Sequence, residues 1–134
     1  MYENVDSIIS DLNCSSYEFI IQTMPPYPWH FGGQSYHNLF LTPKSIKEFC
    51  RKTNLKLCLD ISHTFLACAY LKIDFYQAIK DLLPYSFHLH ISDAEGLNGE
   101  GLQIDEGEID WVKISRIFNS SKNKFSYIPE IWQG

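Results

Sequence analysis

The chain has 134 residues, and its 11 Lys and Arg stand against 16 Asp and Glu for a net charge of −5. Such a balance lacks the clustered excess cation of a phosphate-tracking surface and argues against a nucleic-acid binder. With 45% apolar and 15% aromatic residues the composition supports a packed core and excludes a disordered chain, at a length suited to one domain or part of a larger one.

The acidic, amphipathic start MYENVDSIISDL differs from a signal peptide. Its Val5, Ile8, Ile9 and Leu12 have helical spacing, and the following EFIIQTM has the pattern of a strand. Residues 19–43 carry no charge, but Pro25, Pro26, Pro28, Gly32 and Gly33 interrupt them and rule out a membrane helix. Thr42 and Pro43 then supply an N-cap and a first helical residue, with Ile46, Phe49 and Cys50 on one face. LKLCLDIS is a second strand, and TFLACAYL after it is apolar on nearly every side. Asp74 caps a further helix with Phe75, Ala78, Ile79 and Leu82 on its buried stripe. SFHLHIS is a third strand, 95–107 a polar Gly-rich loop, and 109–119 a helix with Trp111, Ile114 and Phe118 inward. FSYIPEIW is the fourth strand. Cys14, Cys50, Cys58 and Cys68 form no C-x-x-C pair and read as reduced thiols, so the protein is expected to be soluble and cytoplasmic.

This alternation predicts an α/β fold with a parallel sheet. In the second strand Leu55, Leu57, Leu59 and Ile61 oppose Lys56, Cys58 and Asp60, and in the third Phe87, Leu89 and Ile91 oppose His88, His90 and Ser92. A doubly wound sheet is apolar on both faces, so a partly polar face favours a barrel interior. Each strand places one coordinating residue near its C-terminal end: Gln22, Asp60, His90 and Glu130. Active sites of parallel α/β folds lie at that end. Taken singly, Asp60 reads as a helix cap and His90 as a core histidine. Together the residues make an oxygen and nitrogen donor set suited to Mn²⁺, Mg²⁺, Co²⁺ or Zn²⁺.

LCLDISH, with Asp60 and His63 in a D-x-x-H spacing, HLHISDA, the EGEIDW turn and PEIW resemble the second half of the xylose isomerase-like TIM barrels. That superfamily includes sugar-phosphate isomerases and epimerases, ketose 3-epimerases and the endonuclease IV type of nuclease. The resemblance covers Phe19 to Gly134 and implies barrel strands five to eight. It implies that Asp60, His90 and Glu130 are metal ligands, that His63 bonds a substrate oxygen, and that Glu130 also serves as catalytic base. The fifth-strand ligand of the family is usually Glu, and that position here is Gln22, whose carbonyl can coordinate a cation but cannot act as a base. His88 is expected in an outer-shell or packing role, and Asp93 either orients His90 or is a solvated loop charge. Trp29 and His30, in the long loop after the first strand, could cover a sugar ring. Glu106 in the EGEID turn reads as structural.

The nuclease branch needs an Asp-x-His element after the third strand, where this chain has Gln103, Ile104 and Asp105. Sugar chemistry is therefore the leading expectation: a metal-dependent isomerase or epimerase of carbohydrate metabolism, acting on a small sugar or sugar phosphate, without nucleic-acid or membrane partners. The alternatives are a non-catalytic barrel that binds a sugar or a protein, with Gln22 marking a lost base, and an open α/β binding module. Because a TIM barrel takes roughly 250 residues and about eight strands, the chain is expected to be the C-terminal half of a barrel domain, completed by a missing N-terminal half or a homo-oligomer partner.

Overall fold

A computed structural model of the chain describes residues 2–11, 17–26 and 38–132. Helix α1 (Tyr2–Asp11) precedes β1 (Ile20–Gln22), and α2 (Pro43–Thr53) leads to β2 (Lys56–Asp60). Helices α3 (Ile61–Leu71) and α4 (Phe75–Leu82), with a short 3₁₀ turn, connect β2 to β3 (Ser86–Ile91). A small hairpin, β4 (Asp93–Glu95) and β5 (Gly99–Leu102), then gives way to α5 (Trp111–Ser120) and β6 (Ser126–Pro129).

The main sheet has the order β1-β2-β3-β6, and all its pairings are parallel. Each crossover moves one strand further in the same direction. A doubly wound sheet would reverse its order at a switch point, so this progression is that of a partial TIM barrel, and the expected fold class holds.

Capping residues place the helices where local chemistry requires. Thr42 accepts the Ser45 N–H through its side chain and Pro43 occupies the first turn, so the expected start of α2 is met. Asn54 and Lys72, both with positive φ, end α2 and α3. Asp74 Oδ1 caps α4 at Gln77 N (2.7 Å), and Phe75, Ala78, Ile79 and Leu82 are buried as their spacing predicts. On α5, Asp110 is the cap and Ile114 and Ile117 are the buried residues, while Trp111 and Phe118 are only partly covered. The core gathers Leu57, Leu59, Leu89, Ile61, Ile79 and Ile114 between the sheet and these helices.

Three expectations need correction. The first strand is limited to Ile20–Gln22; Thr23 beyond it still donates its N–H to Cys58 O at 3.1 Å, while its side chain clamps the backbone of Asp60. Ile8 of α1 is exposed, so the helical stripe there is only partly used, and Leu12 lies outside the described residues. The stretch read as loop from residue 95 contains the β4–β5 hairpin; its strands are too short and too rich in Gly and Glu to show an alternating pattern.

Cys50, Cys58 and Cys68 are buried free thiols, and burial pushes them up to about 11, 12 and 12 respectively. Such thiols are packing residues rather than nucleophiles. Cys14 lies outside the described residues. Among the described residues no helix is long and apolar enough to cross a membrane.

Candidate metal and substrate site

Asp60 ends β2 and is the N-cap of α3, a position that sends its carboxylate to the C-terminal edge of the sheet. Oδ1 accepts the His63 backbone N–H and the Ser62 hydroxyl, each at 3.0 Å. Oδ2 lies 3.1 Å from Gln22 Nε2, 3.2 Å from His63 Nδ1 and 3.5 Å from His90 Nδ1. One oxygen therefore closes the helix and the other faces the site. Burial alone would raise the Asp60 pKa, but bonding to His90 and the His63 and Ser62 donors hold it below the ordinary carboxylate value.

Backbone pairing brings in the neighbours. His90 is the register partner of Asp60 across β2 and β3, so both side chains emerge on the same face. His90 also pairs with Ile128, and Glu130, just beyond β6, donates its N–H to Ile91 O at 3.0 Å. Glu130 Oε2 consequently reaches His90 Nδ1 at 2.6 Å. Bonding to Asp60 and the charge of Glu130 raise the His90 pKa despite its partial burial. From the other side Gln22 directs Nε2 towards Asp60 Oδ2 and to within 3.2 Å of His90 Nδ1.

Asp60, His90 and Glu130 thus offer ligand atoms that all lie within 4.8 Å of one another. One imidazole nitrogen and two carboxylates converging at that distance suit a divalent cation of hard to borderline character. Gln22 belongs to the same cluster. With Oε1 turned inward in place of Nε2 it would add a neutral oxygen donor.

The model for the xylose isomerase-like TIM barrel matches residues 1–134. The chain belongs to that family. An uncharacterized protein of Methanocaldococcus jannaschii is 26% identical over 121 residues, which are 85% of this chain and 41% of that protein. Among solved structures, a D-tagatose 3-epimerase-like protein superposes with a TM-score of 0.69 at 20% identity, covering 97% of this chain and 46% of that one. The probable 3-DHS dehydratase AsbF involved in petrobactin synthesis from Bacillus anthracis superposes with a TM-score of 0.66 at 14% identity, covering 99% and 49%. The chain therefore spans less than half the length of the relatives it matches.

In this xylose isomerase-like domain the remaining expected residues are placed unevenly. His63, in the first turn of α3, is mostly buried beside Asp60; its Nδ1 lies 3.0 Å from Thr23 O and its Nε2 3.3 Å from Glu100 Oε2. Since a backbone carbonyl only accepts, Nδ1 carries the hydrogen in that bond. His88 stands apart from the ligand cluster: Nδ1 meets Ser126 Oγ at 2.7 Å, and its ring packs edge-on against His90. Trp29 and His30 lie outside the described residues.

Asp93 departs from both roles expected of it. It is fully buried, and its oxygens accept from Ala94 N, Asp105 N, Ile109 N and Trp111 Nε1 at 2.8 to 3.2 Å. Four donors occupy the carboxylate's capacity, so it ties the 93–111 loop together and does not orient His90. Gly107 of the EGEIDW turn is part of this knot, because a Cβ there would collide with Ala94 O and Asp93 Oδ1.

Two contributors went unnoticed in the sequence. Thr23 accepts from Asp60 N at 2.9 Å and donates to Asp60 O at 3.2 Å, locking β1 to the end of β2. Its position directly after Gln22 at a strand end was the available signal. Glu100 reaches His63 from the β4–β5 hairpin, and nothing in the pattern of a Gly-rich loop distinguishes it from Glu95 or Glu106.

Proposed function

We propose that this chain forms part of a metal-dependent isomerase or epimerase acting on a sugar or sugar phosphate. The observation that carries the reading is the convergence of Asp60, His90 and Glu130 at the C-terminal ends of adjacent parallel strands. Those three residues, with Gln22, would hold the ion, and the ion when bound would acidify a C–H bond next to a substrate carbonyl. Glu130 is the carboxylate available to take and return the proton: its side chain is part-exposed, whereas Asp60 is enclosed and half committed to the helix cap. His63, held by Thr23 O, is placed to bond a substrate oxygen. Family membership and an epimerase-like neighbour support this reading. So does the dehydratase neighbour, since removal of a proton beside a carbonyl is a step that such eliminations share.

The four parallel strands would be strands five to eight of the barrel, with the remaining strands supplied by further chain or by a partner. A non-catalytic sugar- or partner-binding barrel is the second reading. Gln22 favours it, because an amide stands where two-base epimerisation needs a carboxylate. The deciding experiment is an aldose and ketose interconversion screen of the full-length protein loaded with Mn²⁺, Mg²⁺, Co²⁺ or Zn²⁺. Turnover of a sugar or sugar phosphate that Glu130→Gln abolishes supports the enzyme; stoichiometric metal with no turnover of any sugar supports the second reading.

A further inference from the structure

Folding gathers four of the chain's 11 Lys and Arg around one cavity of about 620 Å³. Arg51 near the end of α2, Lys56 at the start of β2, and Lys122 and Lys124 between α5 and β6 line it, and no Asp or Glu does so among the described residues. The cavity lies at the N-terminal ends of β2 and β3, the opposite end of the sheet from Asp60, His90 and Glu130. In a chain of net charge −5, four cations facing one space without an acid concentrate a positive potential that their separation in sequence conceals.

The wall of the cavity holds these cations in place. Arg51 Nε donates to the Tyr85 hydroxyl at 2.7 Å, and its guanidinium carbon stands 5.8 Å from the centre of the Tyr85 ring. Lys56 Nζ lies 4.5 Å from the centre of the Phe87 ring and also pairs with Glu18, outside the cavity. Asn123 Nδ2 donates to Pro84 O at 3.0 Å and to Leu83 O at 3.3 Å, which fastens the loop between Lys122 and Lys124 to the turn before β3. Arg51, Lys122 and Lys124 have no carboxylate partner among the described residues. Phe87, 40% exposed, and Tyr85 add an apolar wall beside the charges.

We propose that this cavity binds an organic diphosphate, with its phosphate groups among Arg51, Lys122 and Lys124 and its organic part against Tyr85 and Phe87. Three unpartnered cations match the roughly three negative charges of such a group near neutral pH, and Arg and Lys bind phosphate as a fork and as a point charge. The volume falls within the roughly 300 to 1,000 Å³ of small-molecule pockets. It suits one compact anion and not the extended track of a nucleic acid. The site stands apart from the metal cluster and does not depend on the sugar reading.

The test is calorimetric titration of pyrophosphate, ADP and adenosine into the full-length protein in EDTA, which keeps divalent ions from bridging a phosphate to the metal cluster. Lys122→Glu combined with Lys124→Glu reverses two charges at exposed positions outside helix and strand. Arg51→Gln is the second variant and reports even if the double variant folds poorly. One ADP per chain should bind the wild type, pyrophosphate should bind more weakly, and adenosine should not bind. The double variant should raise the ADP Kd about tenfold or more, Arg51→Gln should raise it also, and added salt should weaken binding. His90→Ala, at the other end of the sheet, should leave the ADP Kd unchanged. Absence of ADP binding to the wild type, adenosine binding as tight as that of ADP, or an unchanged Kd in both cavity variants would overturn the proposal. Loss of ADP binding in His90→Ala would overturn it too, by moving the diphosphate to the metal cluster.

Discussion

Asp60 and His90 face each other directly across the β2–β3 ladder, and Asp60 Oδ2 approaches His90 Nδ1 at 3.5 Å while Asp60 Oδ1 closes helix α3. The two oxygens of one carboxylate thus serve the fold and the site separately. Substitutions can divide the two tasks. Asp60→Asn keeps an oxygen for the cap and loses the anion that faces His63 and His90, so metal affinity should collapse and the melting temperature should fall by the charge contribution alone. Asp60→Ala loses both and should destabilise by about 0.5 to 2 kcal/mol more, the usual range for a lost cap. Thermal melts paired with metal titration of the two variants check this, and equal destabilisation would show that the cap contributes nothing.

Gln22 and Glu130 flank the same histidine and are expected to respond in opposite directions. Gln22→Glu places an anion where an amide stands 3.1 Å from Asp60 Oδ2. If Gln22 marks a lost second base, that change should tighten the metal and raise epimerisation. Glu130→Gln should remove turnover altogether. Turnover and metal affinity measured on both variants decide the matter. A fall in both quantities for Gln22→Glu would leave Glu130 as the sole base of a one-base mechanism.

Much of this arrangement is legible in the sequence. The alternating faces of LKLCLDIS and SFHLHIS, set by the strand period, place Asp60 and His90 on a common face, and parallel pairing makes them neighbours. Asp74 and Asp110 announce helices by local chemistry alone. The hairpin and Glu100 were illegible for a physical reason. A two-stranded ribbon with exposed faces needs no apolar alternation, and its turn residues resemble any loop. The Asp93 misreading has the same origin: a carboxylate after a strand can point to solvent or inward, and only the four donors around it decide.

Protonation should compete with metal at His90. Its pKa is raised above the ordinary histidine value of 6.5, and a protonated imidazole cannot ligate, so affinity should fall as pH drops through that raised value. Asp60, held below its own ordinary value, stays anionic over the same range, and the loss should track a single proton. For stability without metal the signs differ by group. The His63 contribution is complete below about pH 6.5 and lost as pH rises through its raised folded value, whereas that of Asp60 is present above its unfolded value near 3.8 and lost as pH falls through the lower folded one. Metal titrations across pH 4 to 9 read the first effect and melts extended down to about pH 2 read the second; affinity that rises on acidification would refute the His90 assignment.

Strand β6 pairs on one side with β3, and its Tyr127 and Ile128 are 67% and 50% exposed. Such an edge invites further strands. Addition of the preceding half of a barrel, in cis or as a separate polypeptide, should slow hydrogen exchange of the β6 amides and bury both side chains. Unchanged exchange would argue that the sheet ends at β6.

The most direct test of the metal site is calorimetric titration of Mn²⁺ or Co²⁺ into the full-length protein and its His90→Ala, Glu130→Ala and His88→Ala variants. One ion per chain should bind the wild type. His90→Ala and Glu130→Ala should abolish stoichiometric binding, while His88→Ala, whose ring touches His90 only edge-on, should weaken it by about 10 to 100-fold at most. Absence of binding to the wild type, or losses at His88 equal to those at His90, would contradict the account.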